Sequence, residues 1–423
     1  MELLAYVFYI IIHMISQGYK HTEIGIIPQE WEVKNIRRIA KCFSGGTPNS
    51  KDSGLYGGNI PFIRSGEIHG DSTAIYLTEK GLNNSSAKMV NKGDLLYALY
   101  GANSGDCAIS QIDGAINQAI LCIRSNTIMN AFLQPYLELS KDKYIAKYLQ
   151  GGQGNLSNEI ISSYIIPIPP LEEQQKIAKI LGMWDKAIEL QSKIIDKLEL
   201  RKRALMQRLL SGHQRLPGFS TPWEKVRLGT IGDTFNGLTG KSKDDFERGN
   251  SKYIPYINVF SNERIDINNL ECVQIESEER QNAVKYGDIF FTVSSETPDE
   301  VGMSSVLLEH VDNTYLNSFC FGYRLKDFSI LAPSFAVYLL RTEYFRTYIT
   351  ILAQGSTRFN ISKKEVMKLK IVIPSIKEQA AITAVLSMAT KEIELARAKL
   401  VALRAQKRGL MQQLLTGKKR AKY

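Results

Sequence analysis

The sequence predicts an α+β protein built from two copies of one unit, each a domain of mixed strands and helices followed by a long helix. Three observations support this prediction. A long segment is repeated along the chain, the repeated segment has the apolar spacing of a coiled coil, and short β-type runs separated by loop clusters fill the regions before each copy.

The repeat is most regular in residues 169–212 and 374–417, which align without a gap at a constant offset of 205 residues. The regions before these two segments correspond more loosely. A gapless match of this length is too regular for chance, so the chain is interpreted as a duplication. Identical pairs include Glu173/Glu378, Gln174/Gln379, Ile177/Ile382, Leu181/Leu386, Met206/Met411 and Gly212/Gly417.

Each repeated segment predicts one helix of about 40 residues, which is about 60 Å long at 1.5 Å per residue. Gly212 and Gly417 stand where a C′ glycine ends a helix. Apolar residues recur in steps of four and three once the polar Gln191 and Lys202 are counted in the first helix. This heptad pattern favours two paired helices over the alternative, in which each helix covers its own domain. The predicted seam residues are Ile177, Leu181, Trp184, Ile188, Ile195, Leu198, Leu205, Leu209, Ile382, Leu386, Ala389, Ile393, Leu400, Leu403, Leu410 and Leu414.

The two variable regions are rich in short β-type runs bounded by Gly, Asn, Ser and Asp. The runs are IPFIR, DLLYALY, AILCIR and SYIIPI in the first region and YIPYINVF, DIFFTV, FCFGYR and LKIVI in the second. Further helices are predicted near residues 132–150 and 333–353. Each region is therefore expected to hold its functional residues on polar loops supported by a small sheet.

The chain thus divides into six segments: an N-terminal extension at 1–18, a first domain at 19–168, a central helix at 169–212, a second domain at 213–373, a C-terminal helix at 374–417 and a basic tail at 418–423. Residues 3–15 of the extension read LLAYVFYIIIHMI, an apolar run shorter than the ~20 residues that span a bilayer. It is interpreted as an upstream start read in error or a segment docked on the first domain, with a weak anchor less favoured.

Composition points to a polyanionic partner. Lys+Arg number 53 against 43 Asp+Glu, a net charge of +10 at neutral pH, which leans toward nucleic acid. The five cysteines and five histidines are scattered, so neither a disulfide framework nor metal-ligand spacing is present. A reducing cytoplasm and no metal site are expected.

The loops carry the residue types that read DNA. Asn and Gln can bond adenine, Arg can bond guanine, and hydroxyl and backbone groups can hold phosphate, although Gly, Asn and Ser clusters also form ordinary turns. The candidate DNA-binding residues are Ser44, Gly45, Gly46, Thr47, Arg64, Ser65, Tyr100, Asn103, Ser104, Asn117, Gln118, Gln153, Asn155, Asn236, Thr239, Lys241, Asn258, Ser294, Ser295, Asn317, Thr357, Arg358 and Asn360.

Enzyme motifs are missing from the sequence. Gly240-Lys241-Ser242 lacks the earlier glycine of a phosphate-binding loop, because Phe235 stands at that position. Acidic pairs such as Glu172-Glu173 are interpreted as solvated carboxylates in a first helical turn. No catalytic residue and no cofactor are therefore expected in this chain.

Two motifs carry a family resemblance. IPIPPLEEQQKIAKIL before a helix ending LLSG, and IVIPSIKEQAAITAVL before one ending LLTG, resemble the specificity subunits of type I restriction–modification systems. The SGGTP run at residues 44–48 and the Trp31-Glu32 pair are also typical. The resemblance covers residues 19–417. The second domain has NGLTG in place of SGGTP, as expected if the domains recognise different sequences.

The resemblance implies both a fold and a function. The domains are target-recognition domains related by a pseudo-two-fold, separated by two long antiparallel coiled-coil helices that act as a spacer. Each domain reads one half of a bipartite, asymmetric target in double-stranded DNA. The helices dock two methylation subunits, and restriction/translocase subunits join that core. S-adenosylmethionine, ATP and Mg²⁺ belong to those partners, and no membrane is involved.

Two alternatives stay open at this point. The chain could serve a fused nuclease–methylase polypeptide, which uses the same fold. It could also be a coiled-coil scaffold that does not bind DNA. A nuclease in its own right needs a carboxylate cluster that the sequence does not offer.

Overall fold

The computed structural model describes residues 18–148 and 156–421 and separates into two compact units. Unit 2 is Lys193–Ala398, and unit 1 contains the chain before it and after it. The boundary runs through both long helices, so each unit holds one variable region and one end of each helix. The predicted N-terminal extension lies outside the described residues except for Gly18.

Unit 1 contains two four-stranded sheets and two strand pairs. Its strands are β1 (Tyr19–Thr22), β2 (Gly25–Pro28), β3 (Glu32–Asn35), β4 (Ala40–Ser44), β5 (Tyr56–Ile63), β6 (Tyr76–Leu77), β7 (Lys88–Val90), β8 (Leu95–Ala98), β9 (Cys107–Ile109), β10 (Gly114–Ile116), β11 (Ile120–Ser125) and β12 (Ile165–Ile168). Its shorter helices are α1 (Glu79–Asn83), α2 (Asn130–Tyr148) and α3 (Asn158–Ser162). The sheet orders are β4-β11-β8-β9 and β6-β5-β10-β7, with β12-β3 and β1-β2 as pairs.

The first long helix is α4 (Leu171–Leu210), and unit 2 follows with the same plan. Its strands are β13 (Glu224–Arg227), β14 (Gly232–Asn236), β15 (Phe246–Ile254), β16 (Glu271–Val273), β17 (Ile289–Thr292), β18 (Ser294–Ser295), β19 (Ser304–Val306), β20 (Thr314–Leu316), β21 (Cys320–Leu325), β22 (Phe359–Asn360) and β23 (Lys370–Ile373). Its helices are α5 (Leu228–Ile231), α6 (Tyr256–Ser261), α7 (Pro333–Leu339), α8 (Glu343–Ile351), α9 (Lys363–Lys368) and the second long helix, α10 (Ile376–Leu414).

The sheets of unit 2 repeat those of unit 1. The order β14-β21-β17-β19 matches β4-β11-β8-β9, and the three strands β16-β15-β20 match β6-β5-β10. The match includes strand direction, because β5 with β10 and β15 with β20 are both parallel pairs. The predicted α+β fold with an internal repeat is therefore confirmed.

The central strands are apolar along their whole length because both faces are buried. In β8, Leu95 and Tyr97 belong to one core, while Leu96 and Ala98 belong to another on the opposite face. This alternation follows from the two-residue period of a strand. It explains why DLLYALY shows no polar alternation in the sequence.

Two predicted elements differ in the structure. The run YIPYINVF does not stay extended: β15 ends at Ile254, Pro255 adopts φ −69°, and the next residues form α6. The helix predicted near residues 333–353 is divided into α7 and α8, because Thr342 is extended and its side chain accepts a hydrogen bond from the Phe345 N–H at 3.3 Å. Proline and threonine commonly begin helices, which accounts for both breaks.

The predicted seam residues are buried or half-buried along both long helices. In unit 1, Ile177 and Leu181 share a core with Leu414, so the start of α4 packs with the end of α10. In unit 2, Leu209 shares a core with Ile382, so the end of α4 packs with the start of α10. Within each unit the two helical segments are therefore antiparallel partners.

Candidate nucleic-acid interface

The predicted loop residues of unit 1 meet where β4 ends beside the turn between β10 and β11. A Cβ on Gly45 would lie 1.7 Å from the Ile116 carbonyl oxygen, so this glycine is required for packing inside the unit. The Thr47 hydroxyl donates a hydrogen bond to Oε1 of Gln118. A shared polar surface thus forms from loops distant in the sequence.

Tyr100 joins the same cluster through Gln118. Partial burial raises the pKa of the Tyr100 hydroxyl, and a hydrogen bond with Gln118 lowers it by less. In the adjoining turn the Ser104 hydroxyl donates to the Leu99 carbonyl at 3.2 Å, and the Asn103 amide lies beside Gly66. Thr47, Tyr100 and Gln118 therefore present hydroxyl and amide groups together.

Arg64 forms an ion pair with Glu67 within its own loop. Its Nε and Nη2 atoms donate to the Glu67 carboxylate at 3.1 and 2.9 Å. The same carboxylate accepts from the Ala74 N–H at 3.1 Å and the Thr73 hydroxyl at 3.1 Å. These bonds, led by that from Arg64, hold the pKa of Glu67 down at about 2. The Arg64 side chain is 47% exposed, and the two N–H groups of Nη1 and one of Nη2 are still available to bond a guanine while the ion pair is formed.

Unit 2 builds the equivalent junction with different side chains. A Cβ on Gly237 would lie 2.1 Å from the Asn317 carbonyl oxygen, so the end of β14 packs on the turn before β21 as in unit 1. The side-chain oxygen of Asn236 accepts a hydrogen bond from Nζ of Lys363, and its carbonyl accepts from the Asn282 amide at 3.1 Å. Lys363 and Asn282 carry no motif in the sequence and were missed.

The matched residues Asn117 and Asn317 first serve the turn in which they lie. The side-chain oxygen of Asn117 accepts from the Ala119 N–H at 3.1 Å, and that of Asn317 accepts from the Phe319 N–H at 2.8 Å. This geometry is an Asx turn. Their repetition in the sequence thus reflects local structure as well as any contact with DNA.

Several candidates of unit 2 are not free to contact DNA. Asn258 is fully buried, and its amide bonds the carbonyls of Asp266 and Asn269, each at 2.9 Å. Ser294 and Ser295 are also buried, in β18. These three predicted contacts are corrected to framework roles, because burial inside the unit keeps their side chains away from a base.

Lys241 is likewise held inside the unit, whereas Thr239 is exposed and only its backbone is fixed. The Lys241 ammonium pairs with Glu279, and only 5% of its side chain is exposed. The backbone of Thr239 is fixed from both sides by Gln281, whose amide donates to the Thr239 carbonyl at 2.8 Å and accepts from its N–H at 3.2 Å. Lys241 therefore supports this loop instead of offering a free cation.

The loop before β22 holds the best-placed cation among the candidates. Thr357, Arg358 and Asn360 are exposed. Within the described residues the Arg358 guanidinium has no hydrogen-bond or ion-pair partner, whereas its carbonyl accepts from the Asn360 amide at 3.2 Å. The candidates Gln153 and Asn155 lie outside the described residues. Ser44 is the last residue of β4, and Gly46 and Ser65 lie in the unit 1 loops already described.

A repeated clamp holds the helix ends in each unit. Glu173 is buried at the start of α4, where its carboxylate accepts from the Trp31 indole at 2.8 Å and from Nε and Nη2 of Arg420, each at 2.8 Å. In unit 2, Glu378 accepts from Nε and Nη2 of Arg215, both at 2.6 Å. Glu173 was expected to be solvated, and that interpretation is wrong because its partner Arg420 lies in the tail that follows α10.

The clamp also sets the charge state of Glu173. Burial raises the pKa of this carboxyl, but the hydrogen bonds from Arg420, Trp31 and the Ala421 N–H together bring it below its usual value. Arg420 follows Arg215 by 205 positions, the offset of the repeat, so the clamp is part of the duplicated plan.

The neighbouring glutamine of each repeat ties the helix to its own variable region. Gln174 accepts from the Met129 N–H at 2.8 Å and donates to the Pro169 carbonyl at 2.9 Å. Gln379 accepts from the Ala332 N–H at 2.9 Å and donates to the Pro374 carbonyl at 2.9 Å. The repeated Glu-Gln pair is therefore structural.

The outer faces of the long helices expose a second repeated feature. Met183 and Leu190 are 58% and 50% exposed in unit 1. Met388 and Leu395, which occupy the same positions in the second copy, are 73% and 63% exposed in unit 2. Residues seven apart lie on one helix face, so each unit presents one apolar pair to solvent.

The described part of the chain holds no group of three or more His, Cys, Asp or Glu side chains placed to bind a metal ion. Among the same residues, none of the helices combines the length and apolar character needed to cross a bilayer.

Comparison with known proteins agrees with this architecture. The family described as type I restriction modification DNA specificity domain matches twice, at residues 28–200 and 221–405. Two recognition units on a duplicated helical frame are thus the shared design of a class of DNA specificity proteins. The chain belongs to this family and is a type I restriction–modification specificity subunit, a class of subunit that is not itself catalytic.

Relatives match along most of the chain. The MjaVIII specificity subunit of Methanocaldococcus jannaschii is 26% identical over 426 residues, 94% of each sequence. The EcoKI specificity subunit of Escherichia coli K12 is 22% identical over 390 residues, 85% of this chain and 82% of that protein.

Solved structures show the same fold. A chain from a study of complex assembly and conformational transition of the type I system covers 92% of this chain and 99% of its own length, with 19% identity and a TM-score of 0.61. The S subunit of a type I restriction–modification system from M. genitalium covers 91% of this chain and 96% of its own length, with 15% identity and a TM-score of 0.52.

Proposed function

We propose that each unit reads one half of a bipartite, asymmetric DNA target, and that the chain directs methylation and restriction subunits to it. One observation carries this proposal: the same loop junction is built on the same strand order in both units, but with different side chains. Thr47, Tyr100 and Gln118 occupy it in unit 1, whereas Asn236, Asn282 and Lys363 occupy it in unit 2. One scaffold with two sets of polar groups is what reading two different half-sites requires.

The chemistry of the loops supports readout of bases in a groove. Amide side chains match the donor and acceptor pattern of adenine. Arg358, whose guanidinium has no partner within residues 18–148 and 156–421, can form the bidentate bond that guanine offers. The net charge of +10 favours association with the phosphate backbone and supplies affinity without sequence information. Specificity then depends on the loops, and affinity depends largely on charge.

The repeated apolar pairs support docking of one partner in two copies. Met183 and Leu190 are kept at the same positions as Met388 and Leu395, although neither pair packs in a core. Exposed apolar side chains that recur at equivalent places favour a protein contact. Because the same pair is presented twice, we assign it to two methylation subunits, with S-adenosylmethionine, ATP and Mg²⁺ held by the partner proteins.

Domain exchange tests the recognition half of the proposal. Residues 22–168 are replaced by the corresponding region of another family member, and the methylated motif is mapped across the genome of the host cell. We expect one half of the motif to change and the other to remain. The reciprocal exchange of residues 217–373 is the matched control and should change the other half only. A change in both halves, or methylation without sequence preference, contradicts the proposal.

Subunit counting tests the docking half. The double variant Met183→Ser with Leu190→Ser should reduce the bound methylation subunits from two to one, measured as the mass of the purified complex. Leu200→Ser is the control, because Leu200 is 61% exposed but has an alanine at the matching position of the second copy. If the double variant still binds two copies, the apolar pairs are not the docking surface.

A further inference from the structure

Phe319 in unit 2 is a large aromatic residue that is exposed instead of packed in a core. Its ring is 57% exposed, yet its backbone is fixed on both sides. The Phe319 N–H donates to Asn317 Oδ1 at 2.8 Å, and its carbonyl accepts from the Val293 N–H at 2.9 Å. The turn therefore holds a large aromatic ring rigidly at the surface.

This ring forms one wall of a pocket of about 340 Å³ beside the loop junction of unit 2. The floor is apolar, with Leu238 and Tyr253 almost fully buried. The rim is polar and basic and includes Ser318 and Lys243. Lys243 has no ion-pair or hydrogen-bond partner among the residues that the structure describes, whereas the nearby Lys241 is already neutralised by Glu279.

The combination favours an aromatic ligand that carries a negative charge. A volume of 340 Å³ is within the range of small-molecule sites and far exceeds what a single methyl group fills. An exposed aromatic face suits stacking with a nucleobase, and a free ammonium beside it suits a phosphate. The loop over the pocket depends on Gly240, whose φ of +69° is accessible to glycine and strained for other residues.

Unit 1 differs at this position. The turn of Asn117 and Gln118 repeats the geometry of Asn317 and Ser318, but the next residue is the buried Ala119 in place of Phe319. The aromatic wall is thus specific to unit 2 and is not part of the duplicated frame.

We propose that this pocket holds one base of the unit 2 half-site outside the double-helical stack, with Phe319 stacked on the base and Lys243 beside its phosphate. The inference rests on the proposed DNA recognition by unit 2. Unstacking a base costs free energy, and stacking on an aromatic side chain offsets part of that cost. Because every base has an aromatic face, the pocket adds affinity and shape selectivity rather than a full base code.

The test uses the native complex purified through the full chain and a duplex with the mapped recognition sequence. 2-Aminopurine is a base analogue whose fluorescence rises when it leaves the stack of neighbouring bases. It is placed at or next to each position of the unit 2 half-site in turn. We expect one position to brighten with the natural chain and Phe319→Tyr but not with Phe319→Ala. Positions whose fluorescence rises equally with the natural chain and with Phe319→Ala belong to bases extruded by a partner subunit.

Affinity gives a second readout. Phe319→Ala should weaken binding of the specific duplex about tenfold. Phe328→Ala is the matched control, since Phe328 is 42% exposed in the same unit but does not line the pocket, and it should bind normally. The inference is overturned if Phe319→Ala binds the specific duplex as tightly as the natural chain does. It is also overturned if no 2-aminopurine position is less fluorescent with Phe319→Ala than with the natural chain.

Two further arms separate the remaining outcomes. If free mononucleotides bind the complex and Phe319→Ala abolishes that binding but leaves the affinity for the specific duplex unchanged, the ligand is a free nucleotide and the DNA assignment is wrong. If the natural complex does not distinguish the target from a scrambled duplex, the proposed function fails together with this inference. Retained discrimination with no effect of Phe319→Ala refutes the inference alone.

Discussion

Arg420 should contribute more to the stability of unit 1 than its place near the end of the sequence suggests. Its guanidinium donates twice to Glu173, whose side chain is only 6% exposed. Arg420→Ala leaves this carboxylate buried with only Trp31 and the Ala421 N–H as donors. Breaking a buried ion pair costs about 3–5 kcal/mol. Because 17% of the Arg420 side chain is exposed, water can replace part of the loss, and we expect about 2–3 kcal/mol.

Hydrogen exchange followed by mass spectrometry provides the assay, because it reports the free energy of opening for each unit separately. Arg420→Ala should lower protection in unit 1 and leave unit 2 unchanged. Arg201→Ala is the control, since its ion pair with Glu392 is about half exposed on both sides and should be worth about 0–1 kcal/mol. Equal effects of the two variants would refute the reasoning.

The same clamp predicts how unit 1 responds to pH. The pKa of Glu173 is lowered in the folded protein, so its contribution is present above the unfolded value of about 4.3 and is lost as pH falls through the folded pKa. The free energy of unfolding of unit 1 should therefore fall on acidification below about pH 5. Arg420→Ala should show a shallower fall, and an identical pH profile would contradict the assignment.

Three further predictions concern recognition, spacing and packing. Arg358→Ala should cost about 1–3 kcal/mol in binding the specific duplex if this side chain bonds a guanine; equal losses on random DNA would make Arg358 a phosphate contact. Inserting one helical turn after Leu198 should change the number of base pairs between the half-sites and keep both half-sites, as mapped from methylated DNA. Gly45→Ala should destabilise unit 1 in thermal unfolding because its Cβ would meet a carbonyl at 1.7 Å, while Gly409→Ala, in an open helical position, should stabilise it by about 0.5–1 kcal/mol.

Much of the frame could be predicted because it is encoded locally. Heptad spacing identifies the side of each long helix that is buried. All of the predicted seam residues, from Ile177 to Leu414, are buried or half-buried. The offset of 205 residues predicts that both units share one plan, and the sheet orders agree. Periodicity and repetition need no knowledge of distant partners, so they can be interpreted from the sequence alone.

The candidate interface was less predictable, because residues of the same type have different partners. Asn258 and Asn360 both lie near β-type runs, yet Asn258 is fully buried and Asn360 is exposed. Arg64 and Arg358 looked equivalent, but only Arg64 has an acidic partner among the described residues. Local composition cannot show whether a polar group is already satisfied.

The sequence by itself determined the duplication, the two long helices with their buried sides, and the supply of polar loops. The tertiary structure alone decided which of those polar groups remain free, and it showed that Glu173 is clamped by Arg420, 247 positions away. The physical reason is that helical periodicity is a property of neighbouring residues, whereas the burial of a charge depends on groups that only folding brings to it.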